Sequence, residues 1–316
     1  MKTALICGIS GQDGSILAKF LLSKHYNVFG TSRDVQGGNF LNLKKLGIYE
    51  SVNLISMAPE DFRSVFVAVK EAKPDEIYYL AGQSSVGLSF ELPAETIQSN
   101  TLGTLNILEA CRMLDITIRQ YHAGSSECFG NTAGFNANED TPFSPRSPYA
   151  VSKATTFWLT ANYREAYGLF ACTGILFNHE SPLRPERFVT QKIIQAVKRI
   201  AAGSNEKLSL GQLDIKRDWG WASEYVDAMW RMLQQDQPVD FVIATGKSHT
   251  LKEFVAEAFD FFSLDWEKYV EVNTKLFRPS DILISQADPS NASKKLNWNA
   301  KVDFKSMINK MINDEL

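Results

Sequence analysis

The chain has 316 residues, of which 44% are hydrophobic and 22% charged, and its formal net charge is −3. This composition is typical of a globular protein with a substantial core, and no block of Lys and Arg offers a surface for nucleic acid or membrane lipid. The four cysteines are far apart and form no Cys-x-x-Cys pair, so we expect neither a metal site nor a disulfide framework. No apolar run approaches the ~20 residues that a membrane span needs, and we expect a cytoplasmic protein.

The N-terminal region predicts a βαβ unit with a glycine-rich loop. An apolar run within residues 1–9 reads as a buried strand, and Gly8-Ile9-Ser10-Gly11-Gln12-Asp13-Gly14 follows it directly. Ile16, Leu17, Phe20 and Leu21 then recur at helical spacing, and residues 27–32 form a second strand. Glycines in such a loop let the backbone approach a pyrophosphate, which binds at the amino end of the helix. The context predicts dinucleotide binding, although a glycine triplet alone is weak support.

The end of the second strand indicates which dinucleotide binds. An acidic residue about 20 positions beyond the glycines reads the ribose 2′-hydroxyl of NAD, whereas a guanidinium suits the 2′-phosphate of NADP. Here Ser32 stands at or beside the acidic position and Arg33 follows. We therefore expect NADP, with Asp34 as a residue that could repel the phosphate if the loop is shifted by one position.

Strands and helices continue to alternate along the chain. We expect strands at 52–56, 76–80, 116–123, 171–177 and 241–244, and helices at 61–72, 94–114, 149–167, 189–202, 223–235, 250–261 and 303–314. This alternation predicts an α/β fold of the Rossmann type, a doubly wound parallel sheet with ligands at the carboxyl ends of its strands. We assign residues 1–177 to this domain, with a returning strand near 240–246, and residues 178–316 mainly to a smaller, interleaved substrate-binding domain.

A candidate catalytic group lies on the predicted fifth strand and the helix after it. Tyr149 and Lys153 are one helical turn apart, so the ammonium can lie beside the phenol and lower its pKa toward that of a useful base. Ser125, just past the strand, could share the same hydrogen bond. Glu127 adds a second acid or base if the extended conformation continues and places it on the same face as Ser125. A Tyr–Lys pair alone is more often an ordinary surface pair, so the argument rests on the other motifs.

These motifs together give the chain a resemblance to a known family. It resembles the extended short-chain dehydrogenase/reductases, and among them the GDP-mannose 4,6-dehydratases, over nearly its whole length. The resemblance rests on segments 8–14, 80–84, 124–127, 142–153, 162–165, 174–182, 217–220 and 240–246. The first three are shared by the superfamily, whereas Ile175-Leu176-Phe177-Asn178-His179-Glu180-Ser181-Pro182 and Arg217-Asp218-Trp219-Gly220 are much more specific.

The resemblance implies a dehydration of GDP-mannose to GDP-4-dehydro-6-deoxy-mannose, with hydride passing from C4 to bound NADP and returning to C6. Tyr149, Ser125 and Lys153 would act at the O4 proton, and Glu127 would move the C5 proton to the departing 6-hydroxyl. It further implies cofactor contacts from Gly8, Ser10, Gly11, Gln12, Asp13, Gly14, Arg33, Leu80, Ala81, Gln83, Ser84, Tyr149, Lys153, His179 and Arg184. The substrate contacts would come from Ser85, Ser126, Glu127, Asn178, Val189, Lys192, Arg217 and Arg278.

The chain also departs from this family at two places. Ala58-Pro59 stands where the family commonly has Asp-Leu near the adenine, and the loop 34–40 lacks an Arg-Arg-Ser-Ser pattern that in relatives joins subunits into a tetramer. We therefore expect a homo-oligomer, a dimer or a tetramer. Three alternatives stay open at this point: a dehydratase for a GDP-heptose, a reductase of the 4-keto product, and a non-catalytic NADP-binding regulator, which would not need Tyr149 and Lys153.

Overall fold

A computed structural model describes residues 1–316. Twelve strands are formed: β1 Thr3–Cys7, β2 Asn27–Ser32, β3 Asn53–Ser56, β4 Glu76–Tyr79, β5 Arg119–Ala123, β6 Ala171–Leu176, β7 Asn178–Glu180, β8 Leu208–Leu210, β9 Lys216–Trp221, β10 Phe241–Ile243, β11 Ser248–Thr250 and β12 Val270–Val272. The α-helices are α1 Gln12–Ser23, α2 Leu41–Lys45, α3 Phe62–Ala72, α4 Val86–Glu91, α5 Pro93–Ile97, α6 Gly103–Leu114, α7 Pro148–Tyr167, α8 Val189–Ala201, α9 Ala222–Leu233, α10 Leu251–Asp260, α11 Ser290–Leu296 and α12 Phe304–Ile312. No helix is long and apolar enough to cross a membrane.

Seven strands form one fully parallel sheet in the order β10-β6-β5-β4-β1-β2-β3. Both faces of this sheet are covered, which is why β4 and β6 are buried at every position. Helices α1 and α9 pack together in one core cluster, whereas α3 and α6 pack together in another. The predicted doubly wound α/β fold is confirmed.

The smaller part of the fold is built from later segments. Strand β9 pairs in parallel with β7 and antiparallel with β11, and β8 pairs in parallel with β12. Its core joins apolar residues of α8, β9, α10 and α12, including Ile193, Trp219, Phe254 and Met307. Between these segments the chain returns to the large sheet through α9 and β10, as expected for the strand near 240–246. The division at residue 177 remains a prediction.

Two predicted elements differ in detail from the structure. The strand expected at 116–123 begins only at Arg119, because Asp115 accepts hydrogen bonds from the backbone N–H and hydroxyl of Thr117, at 2.8 and 2.7 Å, and forms a turn. The helix expected at 94–114 is interrupted by a π-helical turn, Gln98–Leu102, between α5 and α6. Helices α2, α4 and α11, the six-residue strand β9 and the three-residue strands β7, β8, β11 and β12 were not predicted.

Candidate active site

A cavity of about 830 Å³ opens at the carboxyl ends of the parallel strands, between the two parts of the fold. Every residue proposed from the sequence for catalysis or binding lines it: Gly8, Ser10, Gly11, Gln12, Asp13, Gly14, Arg33, Leu80, Ala81, Gln83, Ser84, Ser85, Ser125, Ser126, Glu127, Tyr149, Lys153, Asn178, His179, Arg184, Val189, Lys192, Arg217 and Arg278. The structure therefore brings all of them to one site, and their individual roles remain predictions.

The glycine-rich loop has the shape that a dinucleotide pyrophosphate requires. Gly8 adopts φ +89°, which side-chain-bearing residues rarely adopt, and a Cβ at Gly14 would lie 2.3 Å from the carbonyl oxygen of Gly8. The amino end of α1 begins after Gly11, and no side chain caps it. Its first backbone N–H groups can therefore face an anion, so the residues present fit a dinucleotide.

Arg33 and Asp34 have different surroundings at the end of β2. Arg33 is exposed, lines the cavity and has no ion-pair partner. The Asp34 carboxylate does not line the cavity, because its Oδ1 accepts the backbone N–H of Gly37 at 3.0 Å within its own loop. Met57 and Pro59 form the neighbouring wall, where the sequence departs from the resembled family.

The loop after β4 is held by the π-helical turn. The Asn100 amide donates to the carbonyl oxygen of Gln83 at 3.1 Å and to Ser152 Oγ at 3.2 Å, which joins this loop to α7. Gly82 adopts φ +125°, and a Cβ there would lie 2.2 Å from Asn100 Oδ1. Ser85 lines the cavity and also caps α4 by accepting the N–H of Leu88 at 3.3 Å. Sequence reasoning did not find Asn100, whose partners lie 17 and 52 residues away.

Ser125, Tyr149 and Lys153 form a nearly buried group, 8%, 8% and 7% exposed. Lys153 Nζ lies 5.9 Å from the centroid of the Tyr149 ring and donates to the carbonyl oxygen of Ala123 at 2.8 Å. Burial raises the pKa of Tyr149 above its ordinary value, and a hydrogen bond with Ser125 opposes this only in part. Burial also lowers the pKa of Lys153 to about 8. The lowered tyrosine pKa expected from the Tyr–Lys spacing is therefore wrong for this structure, because burial has the larger effect.

Glu127 reaches the same site by a different route from the one expected. The chain does not stay extended after Ser125 but enters a 3₁₀ turn, Ser126–Phe129, in which Ser125 Oγ accepts the N–H of Glu127 at 3.3 Å. The Glu127 side chain is half-buried, lines the cavity and forms no hydrogen bond or ion pair with the protein. Its carboxylate is thus available to a ligand.

A second charged group joins the glycine loop to β7. His179 Nε2 lies 2.9 Å from Asp13 Oδ2, and the His179 ring stacks on Tyr225 with centroids 4.6 Å apart. Burial would raise the pKa of Asp13, but the charge and hydrogen bond of His179 lower it to about 2. Arg184 Nε lies 3.0 Å from Glu180 Oε2, at an angle too poor for a hydrogen bond, and its guanidinium stacks on Phe188.

Basic side chains from α8, β9 and the segment after β12 line the same cavity. Arg217 Nη2 lies 3.3 Å from Asp281 Oδ1, and Arg278 Nη1 lies 3.7 Å from the same oxygen. Burial lowers the pKa of Arg217, and the negative charge of Glu127 opposes that effect most strongly. Lys192 Nζ donates to the carbonyl oxygen of Ser209 at 2.7 Å. Asp281 was not found from the sequence, since only the fold brings it to Arg217.

Comparisons with known proteins agree with this geometry. The sequence profile of a family described as GDP-mannose 4,6 dehydratase matches residues 5–311. GDP-mannose 4,6 dehydratase 2 of Arabidopsis thaliana is 47% identical, over all of this chain and 87% of the relative, and the human GDP-mannose 4,6 dehydratase is 40% identical, over all of this chain and 91% of the relative.

Solved structures show the same fold at lower identity. The dTDP-glucose 4,6-dehydratase DesIV of Streptomyces venezuelae, with NAD and TYD bound, has a TM-score of 0.89 at 20% identity and covers 98% of this chain and 96% of its own. The UDP-glucose 4-epimerase of Thermus thermophilus, in complex with NAD, has a TM-score of 0.86 at 24% identity, covering 99% and 98%. With the family profile and the full-length relatives, the conclusion is that the chain belongs to the GDP-mannose 4,6 dehydratase family.

Proposed function

We propose that this protein is a GDP-mannose 4,6-dehydratase that uses NADP. The observation that carries the proposal is the free carboxylate of Glu127 in the same cavity as Tyr149, Ser125 and Lys153, in a chain that matches the dehydratase family from end to end. Removal of water from a sugar needs an acid and a base besides the group that acts at the 4-hydroxyl. A simple reductase of this fold has no need of Glu127.

Tyr149 and Ser125 are proposed to handle the proton of the sugar 4-hydroxyl. When bound, an oxidised nicotinamide dinucleotide supplies a positive charge and a reversible hydride acceptor, so that oxidation at C4 and reduction at C6 cancel. Burial raises the pKa of Tyr149, whereas the nearby Lys153 ammonium and the positive charge of a bound oxidised nicotinamide would favour the phenolate, which is the form that accepts the 4-hydroxyl proton. The Ser125 hydroxyl can hand the proton between the sugar oxygen and Tyr149 Oη.

Glu127 is proposed to perform the elimination. A 4-keto group acidifies the C5 proton, and the Glu127 carboxylate removes it and then protonates the departing 6-hydroxyl, which leaves as water. Return of the hydride to C6 of the enone is then matched by one proton at C5, which balances the proton that Tyr149 took from O4. The carboxylate suits this exchange because it is half-buried and has no partner in the protein. The 3₁₀ turn fixes its backbone through the bond from its N–H to Ser125 Oγ, so that both groups act on one bound sugar.

The GDP moiety is proposed to bind at the basic end of the cavity. Arg217 and Arg278 share Asp281, which holds their guanidinium groups in the cavity wall and leaves further N–H donors for a diphosphate. Lys192 adds a third cation, and Asn178 and Val189 line the same cavity and are proposed to contact the sugar nucleotide. One carboxylate shared by two guanidinium groups leaves an excess of positive charge, as a diphosphate requires.

The choice of NADP over NAD is supported by the end of β2. The Arg33 guanidinium is free to pair with a 2′-phosphate, while the Asp34 carboxylate accepts the Gly37 N–H within its own loop and does not line the cavity. An acidic residue at this place would instead favour the 2′-hydroxyl of NAD.

The four cysteines are buried and unpaired, which suits the reducing cytoplasm that we propose as the compartment of this protein.

A homo-oligomer, at least a dimer, is proposed from the surface of α6 and α7. These helices pack on each other, yet Trp158 and Val151 of α7 remain 63% and 45% exposed, and Leu102 beside them 41%. Large exposed side chains of this kind on neighbouring helices are typical of an interface between subunits.

Residues 1–177 are proposed as the cofactor-binding domain, and residues 178–316 as the mainly substrate-binding domain.

The test of the function is incubation of the purified protein with GDP-mannose and a catalytic amount of NADP⁺. We expect a product lighter by one water in the mass spectrum, with no lasting absorbance of reduced nicotinamide. Water loss with a GDP-heptose but not with GDP-mannose would move the assignment to that sugar. Stoichiometric consumption of NADPH with a 4-keto sugar would indicate a reductase, and NADP binding without turnover of any of these would indicate a regulator.

A further inference from the structure

A carboxylate lies at the end of α1 where an anion is expected. Asp13 is in the first turn of α1, directly beside the glycine loop, and lines the cavity. The amino end of a helix attracts anions, and the proposed dinucleotide brings its pyrophosphate to this end. An uncompensated Asp13 would repel those phosphates. The negative charge of Asp13 therefore needs a counter-ion that stays in place.

The contacts of His179 require that its ring carry both protons. Nδ1 lies 2.8 Å from the carbonyl oxygen of Phe177, and Nε2 lies 2.9 Å from Asp13 Oδ2. A carbonyl oxygen and a carboxylate oxygen only accept hydrogen bonds, so both ring nitrogens must donate. Burial opposes the charge, but the neighbouring carboxylate raises the pKa of His179 above its ordinary value. His179 is thus an imidazolium paired with an ionised Asp13.

The elements packed around His179 carry one further pair of opposite charges, and the Lys153 ammonium of α7 also acts electrostatically on Asp13. Asp13 faces it from α1, Glu180 follows it on β7, and Arg184 lies on the segment after β7. Tyr225 of α9 stacks on the ring, with planes 22° apart. Arg184 and Glu180 are within 3.0 Å of each other, and Asp13 and His179 form the other pair. The four charges cancel only while His179 is protonated.

We propose that His179 is the counter-ion of Asp13, and that its positive charge is what allows an anionic dinucleotide to bind at the amino end of α1. This proposal depends on the proposed function in one respect: it takes a dinucleotide as the ligand at the amino end of α1. Loss of the charge would leave Asp13 as a net negative charge beside the phosphates. Asp13 and His179 are therefore positioning and charge-compensating residues in this proposal, and neither needs to take part in the chemical steps.

The charge of His179 can be removed without displacing the strand that carries it. Gln12 Nε2 donates to the backbone carbonyl oxygen of His179 at 3.2 Å, and Ser181 Oγ donates to Gln12 Oε1 at 2.8 Å. Neither bond involves the imidazole. The strand β7 therefore stays tied to α1 when His179 is replaced by a neutral residue, and His179→Gln tests the charge rather than the position of the strand.

The test is a double-mutant cycle that compares His179→Gln, Asp13→Asn and the double variant with the unchanged protein. NADP affinity is measured by titration at pH 7 without sugar nucleotide. We expect His179→Gln to weaken binding by about tenfold or more, since an uncompensated unit charge near the phosphates has an effect of this order. Asp13→Asn in the His179→Gln background should restore most of the lost affinity. A double variant that binds as weakly as His179→Gln, or more weakly, overturns the proposal.

A second measurement does not depend on dinucleotide binding. The imidazole carbon resonance of His179 is followed by NMR against pH in the unliganded protein and in Asp13→Asn. We expect the resonance to titrate at a lower pH in Asp13→Asn, and equal titration in both proteins overturns the pairing. Conversion of GDP-mannose by the unchanged protein tests the proposed function separately, so that each proposal can fail while the other stands.

Discussion

Replacement of Lys153 by methionine should stabilise the fold while it abolishes turnover. Lys153 is 7% exposed and has one hydrogen-bond partner, the carbonyl oxygen of Ala123. Its ammonium is therefore buried with little compensation, since no carboxylate forms an ion pair with it. Methionine has a similar unbranched length and no charge, so it fills the same space without the cost of burying an ion.

The size of the effect follows from the pKa of Lys153. Its decrease from the ordinary 10.5 to about 8 corresponds to roughly 3 kcal/mol of unfavourable free energy for burying the charged form. Methionine removes this cost, but it also loses the charged hydrogen bond to Ala123, which offsets about 1.5–2 kcal/mol of the gain in stability. We therefore expect Lys153→Met to raise the free energy of unfolding at pH 7 by about 1–2 kcal/mol.

The dependence on pH distinguishes this explanation from a packing effect. The folded pKa of Lys153 lies below the unfolded one, so the unfolded chain binds more protons between pH 8 and about 10.4, and the unchanged protein gains stability as pH rises through this interval. Lys153→Met lacks that gain, which exceeds the advantage of the variant at pH 7. The difference in the free energy of unfolding between the two proteins should therefore decrease, pass through zero and change sign by about pH 10 in urea unfolding. Lys70→Met, at an exposed position on α3, is the control with no expected change. A difference that is zero at pH 7, or constant to pH 10, would refute the reasoning.

Three further substitutions test the site. Glu127→Gln should lower turnover by about 100- to 10,000-fold and lower the free energy of unfolding only modestly, because the carboxylate forms no hydrogen bond or ion pair and loses only its electrostatic effect on Arg217. Water loss by mass spectrometry at the unchanged rate contradicts its role. Arg33→Ser should weaken NADP binding by about tenfold or more and NAD binding much less, and equal losses in the two titrations would remove the basis for NADP. Gly14→Ala should reduce stability by about 1–3 kcal/mol and impair dinucleotide binding, because its Cβ would lie 2.3 Å from the Gly8 carbonyl oxygen. Gly11→Ala, with a Cβ at 3.5 Å from that oxygen, is its matched control, and equal thermal unfolding of both variants speaks against the steric argument.

The large sheet could be predicted because its strands and helices are long and periodic. Strand β2 and helix α3 begin and end within a residue of the predicted bounds, since apolar runs and the Asp61 cap mark them locally. Strands of three residues, such as β8 and β11, contain too few positions to show a period. The π-helical turn shows no local sequence signal either, and it makes long-range contacts, such as the hydrogen bond from the Tyr79 hydroxyl to the carbonyl oxygen of Ser99 at 3.1 Å, which spans 20 residues.

The sequence could predict which residues lie in the site, but it could not predict the pKa shifts of their side chains. Segments 8–14, 81–85 and 125–127 follow the carboxyl ends of predicted strands, so topology brings them together. The residues contributed by the smaller part of the fold, such as Lys192, Arg217 and Arg278, were expected only from the family resemblance. The spacing of Tyr149 and Lys153 also gave their proximity correctly. It could not give their burial, which depends on packing against β5 and reverses the expected direction of the Tyr149 pKa. Asp281 was missed for a similar reason, since it meets Arg217 across 64 residues of chain.

The interleaved chain path gives the two ends of the cavity a common support. Strand β9 carries Arg217 at the proposed diphosphate end and runs directly into α9, which packs on α1 at the dinucleotide end. The junction is tight, because a Cβ at Gly220 would lie 2.4 Å from the ring of Tyr225, and that ring stacks on His179 beside Asp13. The distance between the two proposed anion-binding ends is thus set by packed helices and strands rather than by a flexible linker. A dinucleotide and a sugar nucleotide must meet with the sugar carbon near the nicotinamide, and a rigid connection of this kind fixes that separation before either ligand binds.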